Sequence, residues 1–577
     1  MLLPFRRHPA PAYILYIAAA LLGVAGGCGS EPGASDPGGS DAGGAGGEAS
    51  DAGSQGHGDP LAPAGPCEAD DEISGDMDGG FVVPENETWE IVGEVQTAEN
   101  AVVYGTLCMR SGSALTFTDV DNSAFEGGGN ELVESDVGLW VLEDGRLDVQ
   151  GTPVQGWNRT GSHETWSADH EYVIAPHEQP RRTDSEPWNL GDDVPCTTFA
   201  GEEYCAEVAN LSRDVTIQSA EDGGLAHTFI RSSSPHTIRY VEFRRMAPAL
   251  EDFDHDDGHA GHDGRYALHF HFSDEGSRGT LVEGTVIRDT EDHAYVPHES
   301  HGITFRDTIA YNVQDTAYWW DHDEFSNDIH YDRALVMQAE TNRESTSGGM
   351  AGFRLGKGEG NKVTDSVATA VSGAGGFLWR EGSPNDWVFE GNVAHHTPNG
   401  VYFYVNESTP DKAHIVDDYV GYRNSRAIRH GSYGNQAHYS NIVLFENSHE
   451  GIKQLAAPRV RPEDQELTEG MVFRDGIVTG GYLSTEHALR IPNRRNCERT
   501  VSVYENLWLR DFTEEAVVIE QNNCAHDTDQ FHLRFRDVVV GDEERELTEE
   551  DFHIVEIPDG ALIEVEYDGE TAFTLEF

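Results

Sequence analysis

The chain has 577 residues, of which 38 are basic and 103 acidic, so its formal net charge at pH 7 is −65. Hydrophobic residues make up 37% of the sequence and aromatic residues 9%, which is enough for a large core and excludes global disorder. Such a negative field also excludes non-specific binding to nucleic acid or to an anionic membrane surface.

The first 28 residues are typical of a bacterial lipoprotein export signal. Arg6 and Arg7 give a positive start, an apolar run follows over 13–24, and small residues lead directly to Cys28. The resemblance implies that Cys28 is acylated and anchors the protein at the cell envelope, on the outer membrane surface. An ordinary secreted protein with a spare cysteine is the alternative, and the apolar run is too short for a spanning helix.

Residues 29–66 are predicted to be a flexible acidic spacer. The stretch holds twelve glycines and a single large aliphatic residue, Leu61, so it has too little apolar surface to fold. We expect it to hold the folded part away from a lipid bilayer.

Six cysteines remain after Cys28, and an even number in an exported protein predicts disulfide bonds. A zinc site is the alternative, but no C-x-x-C spacing occurs. Proximity in sequence favours Cys196–Cys205 and Cys497–Cys524, which leaves Cys67–Cys108 as the third pair.

From about residue 80 onward the sequence predicts an all-β fold. Short β-branched and aromatic runs recur between Gly, Asn, Asp and Ser clusters, and helix signals are almost absent. An apolar alternation, an acidic residue and a second alternation return at 303–309, 363–367, 388–393, 472–477 and 501–507. Irregular recurrence of this kind is typical of a parallel β-helix, whereas a propeller has a more uniform period and a sandwich has closer turns. We predict a smaller β region over 67–200 and a right-handed parallel β-helix over 201–577.

Residues 265–272, RYALHFHF, predict a strand with a histidine-bearing outer face. In a strand, Leu268, Phe270 and Phe272 would point into the helix, and His269 and His271 would point outward.

Steps of one coil extend this strand into a column of candidate site residues. His298 lies 27 residues after His271, and His322 lies 24 residues after His298. Aromatic rings and polar groups in such a groove suit the rings and hydroxyls of a glycan. The predicted substrate-binding residues are Arg265, His322, Arg354, Trp379, Arg380, Tyr402 and Tyr404.

Candidate catalytic groups lie at the centre of the column. Histidines and carboxylates there could act as acid and base or hold a metal. Two carboxylates usually flank a glycosidic bond that is hydrolysed, and coils about 4.8 Å apart could supply such a pair. A solvated surface is the alternative for each carboxylate in a chain with 103 acids. The predicted catalytic residues are His269, His271, His298, Asp321, Asp323 and Glu324.

An insert over 251–263 combines many acids with three histidines. It could bind Ca²⁺ through carboxylates, or Zn²⁺ through His255, His259 and His262. A solvated loop is the alternative.

The order of these motifs resembles the β-helix segment of the extracellular G-eight-domain family. That family includes the cell-migration-inducing hyaluronan-binding protein and the transmembrane cell-surface hyaluronidase. The most specific part is GRYALHFH at 264–271, and residues 140–153 with Trp157 resemble the end of the G-eight domain. The resemblance covers roughly residues 80–340. It implies a right-handed β-helix, an extracellular location and, in some members, calcium-dependent cleavage or binding of hyaluronan.

Three functions of different classes follow from these observations. The first is a hyaluronidase-like polysaccharide hydrolase or lyase, with Ca²⁺ as a possible cofactor. The second is a glycan-binding or adhesion protein that does not cleave, and a purely structural surface protein is a third. We expect a monomer whose partners are a glycan and, through Cys28, a membrane.

Charge bears on the choice of glycan. Hyaluronan is a polyanion, and a mature chain of charge 36 − 103 = −67 would repel it unless Ca²⁺ bridges the charges or arginines form a local patch. The arginines that could form this patch are Arg231, Arg239, Arg244, Arg245 and Arg265.

Overall fold

The computed structural model describes most of the chain from residue 64 onward. The described ranges are 64–77, 79–161, 165–177, 185–249, 264–320, 325–340, 349–379, 387–404, 413–431, 436–454, 468–479, 487–493, 500–521, 532–555 and 562–576.

Parallel β-coils build the described part of the protein, and each complete coil contributes strands to three faces. We call these faces sheet 1, sheet 2 and sheet 3. Sheets 1 and 2 are two strips of one 27-stranded sheet that bends within each coil. Sheet 3 consists of a six-stranded and an eight-stranded section. Single bridges from Tyr295 to Tyr318 and from Tyr318 to Phe353 connect the two sections.

Sheets 1 and 2 share the longest strands of the protein. Six strands pass through both sheets: Asp71–Met77, Thr88–Thr97, Ala413–Tyr422, Gln436–Phe445, Thr468–Thr479 and Thr500–Arg510. The other strands of sheet 1 are Thr106–Arg110, Arg146–Gln150, Thr237–Arg239, Leu281–Glu283, Thr304–Arg306, His330–Asp332, Lys362–Thr364, Val388–Glu390, His532–Arg536, Leu562–Tyr567 and the antiparallel Glu570–Glu576. The other strands of sheet 2 are Ala114–Phe117, Thr216–Ser219, Glu242–Arg244, Val286–Thr290, Ile309–Val313, Leu335–Ala339, Val367–Val371, Val393–His395, Val539–Val540 and the antiparallel Arg545–Glu546.

Sheet 3 carries the residues that matter for the candidate site. Its first section contains Phe81–Val83, Ala101–Val103, Gly138–Glu143, His227–Ser232, Leu268–Asp274 and Tyr295–Ser300. Its second section contains Ala351–Leu355, Gly375–Trp379, Asn399–Phe403, Arg426–His430, Ile452–Gln454, Leu489–Asn493, Val517–Gln521 and Phe552–Val555.

A left-handed residue forms the corner between sheets 1 and 2 in coil after coil. Between residues 240 and 537, nine of the eleven such corner residues are Asp, Asn or Gly, the residue types that adopt positive φ at the lowest cost. The acidic residue of the sequence motif is itself the corner at Asp307, Asp365 and Asp475, and it directly precedes the corner at Gly391 and Asn506. The eleven residues, with φ between 49° and 70°, are Tyr240, Gly284, Asp307, Arg333, Asp365, Gly391, Asp418, Asn441, Asp475, Asn506 and Asp537.

Aromatic rings stack from coil to coil inside the helix. Tyr295, Tyr318, Phe353 and Phe377 form one stack, with ring centroids 4.7, 4.5 and 4.8 Å apart. These distances match the spacing of about 4.8 Å between neighbouring strands. The inward side chains thus fix the register of successive coils.

The predicted right-handed parallel β-helix is confirmed. Its coils begin at Asp71, because that strand already pairs in parallel with Thr88–Thr97. The region predicted as a separate β unit over 67–200 therefore contains the first coils together with an antiparallel insertion. The insertion has a four-stranded sheet of Trp157–Asn158, Tyr172–Ile174, Glu186–Pro187 and Val208–Asn210, and a hairpin of Cys196–Phe199 and Glu202–Cys205.

Helical structure in the described ranges is limited to three short 3-10 turns, Asn122–Ala124, Glu275–Ser277 and Glu549–Asp551. None of the described helices could span a membrane. The predicted disulfides Cys67–Cys108 and Cys196–Cys205 are formed. Cys28, Cys497 and Cys524 lie outside the described residues.

Candidate functional site

Three buried histidines meet on the outer side of sheet 3. His269 and His271 lie on the strand Leu268–Asp274, and His298 lies on the neighbouring strand Tyr295–Ser300. His271 and His298 pair directly in the sheet, as the 27-residue step predicts. One ligand nitrogen from each ring lies within 4.8 Å of the others. His269 is fully buried, and His271 and His298 each expose 8% of their surface.

Phe272 joins this histidine cluster instead of the core. The backbone at Phe272 is left-handed, with φ of 49°, and the sheet register shifts between His271 and Asp274. The ring of Phe272 consequently lies 4.5 Å from the rings of both His271 and His298. The prediction that Phe272 points inward is wrong, because this irregularity breaks the alternation of the strand.

Hydrogen bonds fix the tautomers of two cluster histidines. The carbonyl oxygen of Gly264 lies 2.8 Å from His269 Nδ1 and can only accept, so Nδ1 carries the proton and Nε2 keeps a lone pair. His271 Nε2 donates to Asn130 Oδ1 over 2.6 Å, which leaves the lone pair of a neutral His271 ring on Nδ1. The two lone-pair nitrogens face each other at 3.2 Å.

Burial keeps His269 neutral. It lowers the pKa of this imidazole well below the usual 6.5, and positive charge on His271, His298 or Arg265 would act in the same direction. At pH 7 His269 can therefore act as a base or a metal ligand but cannot supply a proton as an imidazolium.

The cluster suits a transition-metal cation better than calcium. Two nitrogens at 2.0–2.1 Å from a tetrahedral Zn²⁺ are about 3.4 Å apart, close to the 3.2 Å between His269 Nε2 and His271 Nδ1. Three imidazoles are also the ligand set of known catalytic zinc sites. Calcium prefers six to eight oxygen ligands, which these three nitrogens do not provide.

Arg265 supports the site from within the protein. Its side chain is fully buried, and Nε lies 2.7 Å from the equally buried carboxylate of Asp136. The same carboxylate accepts hydrogen bonds from the backbone N–H groups of Glu126 and Gly127, in the segment that leads to Asn130. The predicted substrate-binding role of Arg265 is therefore wrong, because this buried ion pair holds the segment that orients His271.

A cavity of about 340 Å³ adjoins the cluster. It shares Asn130 with the histidine cluster and contains two carboxylates that the sequence interpretation missed. The distant loop that carries Asn130 and Glu131 gives no periodic signal in the sequence. The cavity is lined by Tyr104, Asn130, Glu131, Leu132, Leu142, Glu143 and Arg231.

The sheet register divides the residues of the predicted column among more than one column, and Arg354 and Tyr402 do not share the column of His271 and His298. Arg354 and Tyr402 share one register column with His269 on the outer face. Tyr404 is exposed, and its ring lies 5.8 Å from that of Tyr402. Trp379 points inward and stacks on Phe403 at 4.3 Å, because the alternation of its strand puts Leu378 on the outer face. The binding role of Trp379 is therefore wrong.

The structure does not test the predictions for some of the site residues. Asp321, His322, Asp323, Glu324, Arg380 and the insert at 251–263 lie outside the described residues.

The predicted arginine patch does not form. Arg239 is paired with Glu283 at 2.6 Å on sheet 1, and Arg244 lies 3.8 Å from Asp289 on sheet 2. Arg265 is buried, and Arg231 donates to the carbonyl of Asn130. The patch is wrong because these arginines lie on different sheets and most are engaged locally.

Comparison with known proteins found one family model that is similar to part of the coil array. Residues 225–444 match the family model described as CEMIP beta-helix. The CEMIP beta-helix segment contains all three cluster histidines and extends the resemblance predicted from the sequence beyond residue 340. None of the curated proteins matches the chain.

Solved structures with low similarity include two exopolygalacturonases. The enzyme from Thermotoga maritima has 10% identity and a TM-score of 0.22, with 89% of this chain and 95% of that chain covered. The family 28 enzyme from Yersinia enterocolitica has 10% identity and a TM-score of 0.23, with 85% and 72% covered. A complex of XylC with xylose has 10% identity and a TM-score of 0.26, with 80% and 82% covered.

Proposed function

We propose that this protein binds a polysaccharide on the outer face of sheet 3 and cleaves it at the His269–His271–His298 cluster. The observation that carries the proposal is the pair of lone-pair nitrogens on His269 and His271, 3.2 Å apart beside a third imidazole. The CEMIP beta-helix match supports it, because the resembling family includes members that bind or cleave hyaluronan.

The cluster holds a cation of the zinc class in this proposal. Such a cation would act as a Lewis acid or lower the pKa of a water molecule. Gly264 and Asn130 hold the two imidazoles in the required tautomers, and Arg265 with Asp136 holds the segment before Asn130. Glu131 and Glu143 supply carboxylates in the adjoining cavity for proton transfer.

The proposal includes export and lipid anchoring at Cys28. Labelling with a radioactive fatty acid in a bacterial host should mark the wild-type chain and leave Cys28→Ser unmarked. Equal labelling of both chains would contradict the anchor.

Cleavage is tested by release of reducing ends from a panel of neutral and acidic polysaccharides. The wild-type chain with added Zn²⁺ should release ends from at least one polymer, and His269→Ala/His271→Ala should release none. His330→Ala, a histidine change on sheet 1, is the matched control and should retain activity. Loss of activity in the control, or activity in the double variant, would contradict the assignment.

Glycan binding without cleavage is the second candidate, and the burial of the cluster favours it. His269 exposes none of its surface, so a sugar reaches it only if neighbouring groups move. Saturable binding of a polymer whose length stays unchanged would establish this candidate instead.

A further inference from the structure

The outer face of sheet 3 has a second ordered feature, a row of basic residues on successive coils. Arg429 pairs with Lys453, and Lys453 pairs with Arg490. Arg429 also pairs with Tyr402, so the row continues the column that contains His269. Six strand spacings, or about 29 Å at 4.8 Å each, separate Arg429 from His269.

Carboxylates neutralise only part of this positive charge. Arg490 lies 2.9 Å from both Glu450 and Glu520. The neighbouring Arg426 lies 2.9 Å from Glu450. Lys453 has only a distant contact, 3.9 Å, with the same Glu450. Among the described residues, four cations thus face two carboxylates, a local excess of two positive charges in a chain of net charge −65.

Arg429 has neither an anionic partner nor an acceptor for its Nε among the described residues. Within the described part of the chain it forms no ion pair, and its guanidinium lies 4.5 Å above the ring of Tyr402. Its buried Nε has no hydrogen-bond partner there. A buried donor left in this way is costly, and an anion would satisfy it.

The arrangement is unfavourable without a ligand. Like charges directly opposite each other on neighbouring strands destabilise a sheet. Burial lowers the pKa of Lys453 to about 8. The nearby arginines act in the same direction, and Glu450 opposes them. A carboxylate or sulfate between Arg429 and Lys453 would remove the repulsion and restore the ordinary charge state of Lys453.

We infer that Arg429 and Lys453 bind a carboxylate or sulfate group of an acidic polysaccharide that lies along sheet 3. The polysaccharide part of this inference rests on the proposed function, whereas the anion site stands on its own contacts. A guanidinium recognises such groups with a planar pair of donors, and an ammonium adds a point charge. The exposed ring of Tyr404 beside Tyr402 offers an apolar surface for a sugar next to the anion site.

Calorimetric titration of the full chain with polygalacturonate and with its fully methyl-esterified form tests this inference. The two polymers share a backbone and differ in charge. Wild type should bind the acidic form at least about tenfold more tightly, as expected for a charge-assisted contact. Arg429→Gln/Lys453→Gln should lose this preference. Lys362→Gln/Arg474→Gln removes the same charge from exposed positions on sheet 1 and should keep this preference.

Further arms separate the possible failures. Arg429→Lys/Lys453→Arg keeps both charges and should keep the preference, which guards against misfolding as the cause of loss. Equal binding of both polymers by wild type, or equal loss in the site and control variants, would overturn the anion site. The assignment to a polysaccharide would be overturned if wild type binds inorganic sulfate but neither polymer, and if Arg429→Gln/Lys453→Gln abolishes the sulfate binding. His269→Ala/His271→Ala should keep the preference even where cleavage is absent, so the two proposals fail independently.

Discussion

At the scale of single residues, the cluster depends on groups that hold the imidazoles in fixed tautomers. Gly264 accepts a hydrogen bond from His269, and Asn130 accepts one from His271. Both partners come from outside the strand that carries the histidines. Outer partners of this kind orient ligands and tune their basicity.

Removal of the Asn130 acceptor should weaken the site without removing a cluster histidine. We expect Asn130→Ala to lower Zn²⁺ affinity and cleavage by about 10- to 100-fold. Asn130→Asp retains an acceptor and should lose less. Competition with a chromogenic chelator measures the affinity, and reducing-end release measures the cleavage. Alanine and aspartate variants that both match wild type would contradict this role.

At the scale of elements, the corner between sheets 1 and 2 explains why the coils were predictable. Asp307, Asp365 and Asp475 recur in the sequence because a left-handed corner favours such residues. The same periodicity placed His298 beside His271. It did not place Phe272, whose left-handed backbone is a local irregularity, or Asn130, which a distant loop contributes.

The one-coil period also extends beyond Tyr402. Arg429 lies 27 residues after Tyr402, and Lys453 lies 24 residues after Arg429, so the same one-coil step reaches both. The prediction for Trp379 is wrong for a different reason. A step of about one coil does not decide which of two adjacent residues faces outward.

A corner substitution should separate backbone strain from side-chain contacts. Asp475 has φ of 55° and accepts a hydrogen bond from Asn506. Both Asp475→Val and Asp475→Gly remove that contact, but only valine is strained in the left-handed region. We expect valine to be less stable than glycine by about 1–2 kcal/mol in denaturant unfolding. Equal stability of the two variants would contradict the strain argument.

The antiparallel insertion is fastened to sheet 2 by a buried ion pair. The carboxylate of Glu207 lies 2.7 Å from His395 Nε2 and 3.0 Å from Arg159 Nε. Burial alone would raise the pKa of Glu207, but His395 and Arg159 outweigh it and lower the pKa to about 2. The contribution of this carboxylate is present above its ordinary pKa of 4.5 and is lost as the pH falls toward 2.

Loss of the Glu207 charge should loosen the insertion. We expect Glu207→Gln to destabilise the protein by about 3 kcal/mol, because one partner of a buried pair is left without its charge. The effect should appear as a lower unfolding midpoint and faster proteolysis within residues 157–210. Glu469→Gln, on the more exposed pair with Arg536 far from the insertion, is the control and should change stability by less than about 1 kcal/mol. Similar losses of stability in both variants would contradict the role of Glu207 in fastening the insertion.

At the scale of the whole molecule, buried neutral histidines set a lower limit on the working pH. Burial is the largest cause in each case, and it lowers the pKa of His236, His414 and His430 to about 3. The pKa values of His227 and His269 also fall well below 6.5. Since the unfolded chain binds these protons more readily, stability is fully present above about pH 6.5 and is lost at lower pH.

A single histidine variant should change this pH dependence. His236 Nδ1 accepts a hydrogen bond from the backbone N–H of Leu147, and His236→Asn keeps an acceptor that does not titrate. Between pH 6.5 and 5, wild type should lose about 2 kcal/mol more free energy of unfolding than the variant. Denaturant unfolding at the two pH values measures the difference. An identical loss in both proteins would contradict the titration of His236.

Charge distribution at this scale also sharpens the choice of glycan. The net charge of −65 predicts repulsion of polyanions, yet the described residues of sheet 3 carry a local excess of positive charge at Arg429 and Lys453. An acidic glycan can therefore meet a favourable field on one face although the chain as a whole is acidic.

The central claim is that the His269–His271–His298 cluster cleaves a polysaccharide, and the molar mass of the polymer tests it most directly. Light scattering after size-exclusion chromatography should show a falling molar mass for an acidic polysaccharide incubated with the wild-type chain and Zn²⁺. The mass should stay constant with His269→Ala/His271→Ala. A constant mass with the folded wild-type chain across a broad panel of polymers would contradict the claim.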